Sequence, residues 1–418
     1  MNVRIFPSLA RGSVSAPSSK SMAHRLLICA ALAEGESRIS GVSDCEDVQA
    51  TMDCLSALGA QFQIENDTVI VQGIDLAKTA SNIELYCRES GSTMRFLLPL
   101  CLLSDKTCKL LGAPSLLRRP MTVYQNICRE NNLFFEQTEL GITVQGALTS
   151  GEYMIPGDVS SQFISGMLFA LTQVRGESTL HILPPFESRS YVLLTLQALE
   201  MFGADVAWID DLSIRVHGGK PMKAQNITVE GDYSGAAFLS AFNLIGGDVK
   251  VDGLDPASLQ GDRIYFEHFA SLANGFATVS VADCPDLAPI LFAIAACKKG
   301  GRFTDTRRLV IKESNRAEAM ARELRKFGTT VEVYENEVII TPTNFKAPEE
   351  PLCGHNDHRI VMSLAVLATI TGGIIEGAEA IAKSFPNFFE KIESLGIRLK
   401  KFDSVKRTKN CYEYGILP

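Results

Sequence analysis

The sequence predicts an α/β protein of two lobes, built from six βαβαββ units, three per lobe. Three observations lead there. A helix-like segment that ends in glycine or asparagine and gives way to an alternating strand recurs six times. The instances are Leu58-Gly59-Ala60, Asn131-Asn132-Leu133, Phe202-Gly203-Ala204, Asn274-Gly275-Phe276, Phe327-Gly328-Thr329 and Leu395-Gly396-Ile397. The spacing is regular: 144 residues separate Gly59 from Gly203, with Asn132 near the middle, and steps of 72, 53 and 68 lead on to Gly275, Gly328 and Gly396. Finally, 418 residues exceed what one ordinary core organises, so two domains are the default.

Each join has a plain physical basis. Glycine or asparagine takes the left-handed conformation that ends a helix. The strand behind it alternates faces and turns back as a hairpin. Val331 to Tyr334 returns as Val338 to Ile340 after Glu335-Asn336-Glu337, and Ala207 to Ile209 returns as Leu212 to Val216 after Asp210-Asp211. A repeat of roughly 70 residues fits a βαβαββ subdomain used six times. Three units per lobe place the boundary near residues 220 to 230, where Gly218-Gly219-Lys220-Pro221 reads as a linker.

Composition narrows the function. The net charge of −8 disfavours a nucleic-acid reader, which is usually basic. An acidic chain that binds anions must gather its cations locally. Met1 to Ala10 carries Arg4 and no long apolar run, so no signal segment is expected, and the most apolar window, Ile360 to Ile370, is too short to span a membrane. Eleven cysteines without a C-x-x-C pair suggest reduced thiols in a cytoplasm, and Cys29 and Cys101 read as small core residues. His355 and His358 lie three apart but lack partners at metal spacing, so no metal is expected.

The cations do gather, mostly at predicted helix starts. Pro17-Ser18-Ser19 ends an extended stretch, and Lys20, Ser21 and Arg25 fall at or near the first turn of an apolar helix. Taken by itself the segment fits either a capped surface helix or a phosphate site. The design recurs in Glu89 to Arg95, where Gly91 would let a ligand approach the backbone closely. Of the adjacent Arg118 and Arg119, one could turn inward. Gly157 to Gln162 opens the helix Phe163 to Leu171 with hydroxyls at its start, either as a cap or as a further phosphate contact.

In the second half, Lys312-Glu313-Ser314-Asn315-Arg316 leads a helix through Lys326. It reads as charge pairs on a surface or as an acid/base residue, Glu313, between anion clamps. Asp283-Cys284-Pro285-Asp286 precedes the apolar helix Leu287 to Ala296, and its carboxylates could cap that helix or serve chemistry. The quartet Asn356-Asp357-His358-Arg359 abuts the apolar helix Ile360 to Leu367, and Lys383-Ser384-Phe385-Pro386 follows an apolar, glycine-containing stretch.

The segments SSKSMAHR, SGSTMR, LLRRP, VSSQF, DCPD, KESNR, NDHR and AKSFPNFF, in this order, resemble the enolpyruvyl transferases, most of all the branch that acts on shikimate 3-phosphate. The likeness runs from about Val14 to Phe389. It implies two inside-out α/β lobes of three βαβαββ units each. It assigns residues 19–228 to the N-terminal lobe, and residues 1–18 and 229–418 to the C-terminal lobe, with the active site in the cleft between them. The implied reaction joins shikimate 3-phosphate to phosphoenolpyruvate and releases phosphate, a step in aromatic amino acid and chorismate biosynthesis. Both substrates are multiply anionic, so the chemistry needs arginine and lysine clamps together with carboxylate and lysine acid–base groups. It implies no metal, no cofactor, no nucleic-acid or membrane partner, and a cytoplasmic monomer.

Carried over by motif, Lys20 would touch both substrates. Ser21, Arg25, Ser160, Ser161, Gln162, Ser188 and Tyr191 would hold shikimate 3-phosphate, with Asp286 and Lys312 on its ring hydroxyls and Asp286 placed to take the 5-hydroxyl proton. Gly91, Arg119, Arg316, Arg359 and Lys383 would grip phosphoenolpyruvate, with Gln162 nearby. Glu313 would be the acid–base at the methylene carbon, assisted by Lys383 or Lys20. Because Gly91 leaves room in the phosphoenolpyruvate pocket, inhibition by glyphosate is implied as well.

The chain departs from the family pattern at Asn315, where aspartate is usual, at Glu89 and Ser90, and at Phe96. The basic segment Lys400 to Pro418 is either a hairpin completing the sixth unit or a tail. A sister branch that acts on UDP-N-acetylglucosamine carries a cysteine before its arginine-proline turn. Gly112 to Arg119 has none. A non-catalytic anion-binding relative is the alternative from another class, and the joint presence of Lys20, Asp286, Glu313 and Lys383 argues against it.

Overall fold

In the unit formed by Ser18–Glu230 with Ala257–Gln260, three four-stranded sheets share one plan. The structure, a computed structural model, describes residues 1–74 and 82–403. The three sheets run Ile83–Tyr86, Leu103–Leu111, Gly141–Ala147, Phe134–Thr138; Glu152–Pro156, Gly176–Leu183, Ser213–Gly218, Asp205–Asp210; and Asn226–Thr228, Glu36–Ser40, Thr68–Gln72, Gln61–Glu65. In each, the first pair is parallel and the other two are antiparallel. Strands such as Ile83–Tyr86 bury alternate residues, so one sheet face packs inward and the other meets solvent.

The core of this unit is helical. All of Lys20–Leu32 is buried except Lys20 and Ser21, and all of Ser161–Gln173 is buried except Gln162 and Gln173. Helices that are apolar on every side belong in the interior. Sequence thus dictates where polar chemistry can lie. Lys20, Ser21 and Gln162, which stay outside the core, fall in the first turns of these helices.

The second unit comprises Met1–Pro17, Gly231–Pro256 and the chain from Gly261 onward. Two of its sheets repeat the plan: Ala277–Ser280, Gly301–Thr304, Glu337–Pro342, Thr329–Val333; and Leu352–Cys353, Gly373–Glu376, Asn2–Ile5, Leu399–Phe402. The N-terminal strand Asn2–Ile5 takes the place that a hairpin strand holds in the other sheets. The helices Ala288–Cys297 and His358–Thr371 form the core and are buried along nearly their whole length.

One of the six units differs from the expectation of equal repeats. Its sheet, among the described residues, is the two-stranded parallel pair Asp248–Asp252 and Arg11–Ser15. The chain leaves it through the helix Tyr265–Asn274 and enters the next sheet directly at Ala277–Ser280. Gly275 differs too. Gly59, Asn132, Gly203, Gly328 and Gly396 have φ of 113°, 55°, 80°, 79° and 90°, whereas Gly275 has φ of 178° and is extended. The chain there passes in extended conformation into Ala277–Ser280.

Of the basic C-terminal segment, Lys400 to Phe402 lie in the strand beside Asn2–Ile5. Residues 404–418, like residues 75–81, lie outside the described residues. No helix among the described residues is long and apolar enough to cross a membrane.

Candidate active site

In the unit containing Ser18–Glu230, the expected residues gather where buried helices begin. Ser19 caps the helix Lys20–Leu32 and accepts a hydrogen bond from the Met22 amide. Lys20 is the first helical residue, and its ammonium lies 2.8 Å from the Asp47 carboxylate. Arg25 sits one turn further in and is fixed from all sides. Its Nε donates to Thr195 Oγ1 at 2.8 Å, and its terminal nitrogens donate to the carbonyls of Ser21 at 2.7 Å and Tyr191 at 2.8 Å. Its guanidinium also stands over the Phe96 ring, 5.2 Å from the centroid. Burial pushes the Arg25 pKa down to about 10, so the group still carries its charge at neutral pH.

Phe96 thus gains a role that its departure from the family pattern did not announce. Thr195 is the node behind it, since its hydroxyl also meets Ser165 Oγ at 2.7 Å. That contact ties the helix Ser161–Gln173 to the helix Arg189–Met201. Ser188 precedes the latter helix, buried and in a left-handed conformation at φ 56°. Tyr191 lies in its first turn.

A second group surrounds Gly91. Gln162 accepts from Arg95 at 2.8 Å and donates to Ser92 Oγ at 2.9 Å, which holds the start of Ser161–Gln173 beside the start of Gly91–Leu97. Ser160 caps the former helix through the Gln162 amide, and Ser90 caps the latter through the Thr93 amide. Of the two adjacent arginines, Arg118 is exposed and Arg119 is buried. A Cβ on Gly91 would come within 2.7 Å of the Arg119 guanidinium, so the absence of a side chain is what admits the arginine. Arg119 Nε is buried and, among the described residues, has no hydrogen-bond partner, a donor left for an incoming acceptor.

In the other unit, Asp286, Lys312, Glu313 and Arg359 gather with Asp357 in one cluster of ion pairs around the buried Arg316, and Lys383 lies beside it. Arg316 is 1 % exposed, and each of its three nitrogens meets a carboxylate: Nε to Asp357 at 2.9 Å, and the terminal pair to Asp286 at 2.7 Å and Glu313 at 2.6 Å. Arg359 donates to Asp286 Oδ2 at 2.9 Å and to the Ser234 hydroxyl, and Lys312 Nζ stands 3.4 Å from Asp286 Oδ1. Lys383 donates to the Asn356 carbonyl at 2.6 Å, one residue before Asp357.

The electrostatics follow from this packing. Burial opposes ionisation of Asp286, but Arg359, Lys312 and Arg316 outweigh it and hold its carboxyl well below the usual range. Asp357 is also lowered: burial opposes its charge, and Arg316 supplies the largest offsetting attraction. Burial pulls Lys312 below its ordinary value. Three cations and three carboxylates stand in mutual contact, so added negative charge would have to displace a carboxylate or protonate one.

The helix boundaries refine the sequence reading. Lys312 and Glu313 precede the helix, which spans Arg316–Lys326. Asn315 is its cap and accepts from the Glu318 amide. Asparagine and aspartate cap equally well, so this departure leaves the local geometry intact. Asp286 does not cap the helix Ala288–Cys297. Its carboxylate is committed to the cluster instead.

The structure adds residues that the sequence reading passed over. Asp357 is fully buried and joins Arg316 to the start of the helix His358–Thr371, where it accepts from the Arg359 amide at 2.9 Å. Asp47 pairs with Lys20, and Ser234 and Thr195 brace the two arginines. Asp357 stood within the charged quartet, and an aspartate directly ahead of an apolar helix was the available signal. Asp47, Thr195 and Ser234 gave none, because their partners lie 27, 170 and 125 residues away.

Comparison with known proteins gives a consistent picture. A family model described as EPSP synthase (3-phosphoshikimate 1-carboxyvinyltransferase) matches residues 7–392. The chain is 36% identical over 416 residues to a 3-phosphoshikimate 1-carboxyvinyltransferase of Clostridium perfringens (strain 13 / Type A), covering 94% of this chain and 98% of that one. It is 32% identical over 435 residues to a protein of the same name from Clostridioides difficile (strain 630), covering 97% and 100%. Among solved structures, EPSP synthase from Acinetobacter baumannii matches with a TM-score of 0.76 at 25% identity, covering 96% of this chain and 100% of that chain. The enolpyruvyl transferase NikO from Streptomyces tendae shares the fold, with a TM-score of 0.75 at 14% identity over 96% and 98% of the two chains.

Proposed function

Because the chain belongs to the EPSP synthase family, we propose that it transfers the enolpyruvyl group of phosphoenolpyruvate to the 5-hydroxyl of shikimate 3-phosphate and releases phosphate. The observation that carries this reading is the buried cluster in which Asp286, Glu313 and Asp357 share Arg316. It supplies cations for anionic substrates and carboxylates for proton transfer within a few ångströms of one another.

The first substrate, shikimate 3-phosphate, is held by Ser21, Arg25, Ser160, Ser161, Gln162, Ser188 and Tyr191, with Lys312 and Asp286 at its ring hydroxyls. The hydroxyls at the helix starts and the charged Arg25 suit a phosphate. Lys20, Gly91, Arg119, Gln162, Arg316, Arg359 and Lys383 hold phosphoenolpyruvate. The unfilled donor of Arg119 beside Gly91 supports this assignment. Residues of both units thus serve one reaction.

The chemistry proceeds by addition and elimination. The 5-hydroxyl oxygen attacks C2 of phosphoenolpyruvate while the methylene carbon takes a proton. Phosphate then leaves with its bridging oxygen, and the new methyl group gives a proton back. Glu313 delivers and recovers the carbon-bound proton, Asp286 takes the hydroxyl proton, and Lys383 or Lys20 assists.

Charge balance explains how weak acids and bases become competent. In the free protein Asp286 is a poor base, because three cations stabilise its ionised form. The phosphate and carboxylate of phosphoenolpyruvate compete for Arg316 and Arg359, and each cation drawn away returns basicity to Asp286. The same anions favour protonation of Glu313, which then serves as the acid. Carboxylates and lysines suffice, so the reaction needs no cofactor.

The protein acts as a monomer in the cytoplasm, an environment suited to its cysteines, which among the described residues are all free thiols. The test is to mix the protein with both substrates and follow inorganic phosphate. Release that requires both substrates, with a product heavier than shikimate 3-phosphate by the enolpyruvyl group, is expected. No release above background would favour the non-catalytic anion-binding relative.

A further inference from the structure

The buried carboxylate of Glu323 lies outside the proposed chemistry. Glu323 is 2 % exposed and sits on the helix Arg316–Lys326, seven residues after Arg316 and therefore on the same face. Its Oε1 lies 2.9 Å from His355 Nε2. Its Oε2 accepts from the Cys353 amide at 2.9 Å and from Lys326 Nζ at 2.8 Å. Burial opposes its charge, but His355 and Lys326 overcome that and lower its pKa.

The loop it holds is the one that opens the helix His358–Thr371. His355 and Asn356 both adopt left-handed backbone conformations, at φ 49° and 52°. Two consecutive non-glycine residues there are strained and need external support. Support comes from both ends of one helix. Arg316 grips Asp357 at 2.9 Å, and two turns further on Glu323 grips His355 and Cys353. Between these grips, the Asn356 carbonyl receives Lys383 Nζ at 2.6 Å.

We infer that Glu323 is a positioning residue that acts through His355, holding the loop 353–357 so that the Asn356 carbonyl fixes Lys383 for phosphoenolpyruvate. This rests on the reading of Lys383 as a phosphoenolpyruvate ligand. Glu323 touches no substrate. It sets where the lysine ammonium stands, and a displacement of about an ångström is enough to impair a catalytic site by up to roughly a hundredfold.

Two variants separate this role from simple stabilisation. Glu323→Gln keeps the shape but removes the charge and one of the two acceptor oxygens that hold His355, Cys353 and Lys326. His355→Asn keeps a residue that tolerates the left-handed backbone but is too short to reach Glu323. In each, KM for phosphoenolpyruvate rises by roughly tenfold while KM for shikimate 3-phosphate stays within about twofold, in folded protein. Lost thermal stability with both KM values unchanged in the surviving enzyme would overturn the inference.

A second readout needs no turnover. In a crystal structure of the His355→Asn protein, the Asn356 carbonyl is displaced from Lys383. An unmoved loop with the lysine contact intact would overturn the inference. Wild-type protein that fails to turn over would instead sink the functional reading, and the crystallographic result would still decide the role of Glu323.

Discussion

Replacing Arg316 with methionine, which approximates its length without its charge, perturbs the centre of the proposed site most informatively. Three carboxylates lose a partner, but unequally. Asp286 keeps Arg359 at 2.9 Å and Lys312 at 3.4 Å, and the Glu313 side chain is 21% exposed and can turn to water. Asp357 is fully buried and, among the described residues, keeps only neutral donors at hydrogen-bond distance, Ser314 at 3.1 Å and the Arg359 amide at 2.9 Å. The cost is therefore close to that of one stranded buried carboxylate, about 3 kcal/mol. For a unit of this size that lowers the unfolding midpoint by about 6–12 °C.

The pH dependence fixes the sign. In the native protein Asp357 titrates below the usual range. Its contribution is present above the unfolded carboxyl value of about 4 and is lost as pH falls through the folded value. Without Arg316 the largest offset to burial is gone, so the folded value rises above the unfolded one. The variant's deficit is then fullest at neutral pH and shrinks as pH falls toward about 5. Calorimetric scans of both proteins at the two pH values measure this. A midpoint within about 2 °C of the native protein at neutral pH, or a deficit that grows on acidification, would refute the reasoning.

Other outcomes follow from the same geometry. Glu313→Gln lowers kcat by roughly a hundredfold or more with modest changes in KM, as read in steady-state assays, and a variant with full turnover would remove Glu313 from its role as carbon acid–base. Gly91→Ala pushes the Arg119 guanidinium aside, because the new Cβ falls 2.7 Å from it, and raises KM for phosphoenolpyruvate by about tenfold with little change for shikimate 3-phosphate. Equal effects on the two substrates would detach Arg119 from phosphoenolpyruvate. Thr195→Val removes the acceptor of Arg25 Nε, and weaker binding of shikimate 3-phosphate by calorimetry is expected, by about 1–3 kcal/mol; unchanged affinity would make Arg25 a packing residue. Glyphosate competes with phosphoenolpyruvate in inhibition kinetics, and a pattern without competition would contradict the assignment of the pocket beside Gly91.

Much of the fold was legible because its punctuation is local. A positive φ at Gly59, Asn132, Gly203, Gly328 and Gly396 is a demand on one residue, and glycine or asparagine answers it. Gly275 looked identical in sequence and is extended, since what distinguishes it is the missing hairpin downstream, a property of the whole unit. The site was legible only in part for a related reason. A buried Arg316 and a solvated one give the same letter in a charged run. Its burial is decided by Asp286, Glu313 and Asp357, which lie up to 41 residues away and converge only in the folded unit. Glu323 was hidden in the same way. On an amphipathic helix it resembles any exposed glutamate, until His355 is found beside it.

The most direct test follows oxygen. Phosphoenolpyruvate carrying 18O in the bridge between carbon and phosphorus is turned over with shikimate 3-phosphate, and the products are weighed by mass spectrometry. Addition at C2 followed by elimination breaks the carbon–oxygen bond, so the label is expected in inorganic phosphate, one atom per turnover, with an unlabelled enolpyruvyl ether as the other product. Label retained in pyruvate, with phosphate unlabelled, would mean that the phosphorus–oxygen bond breaks, and it would contradict enolpyruvyl transfer by this protein.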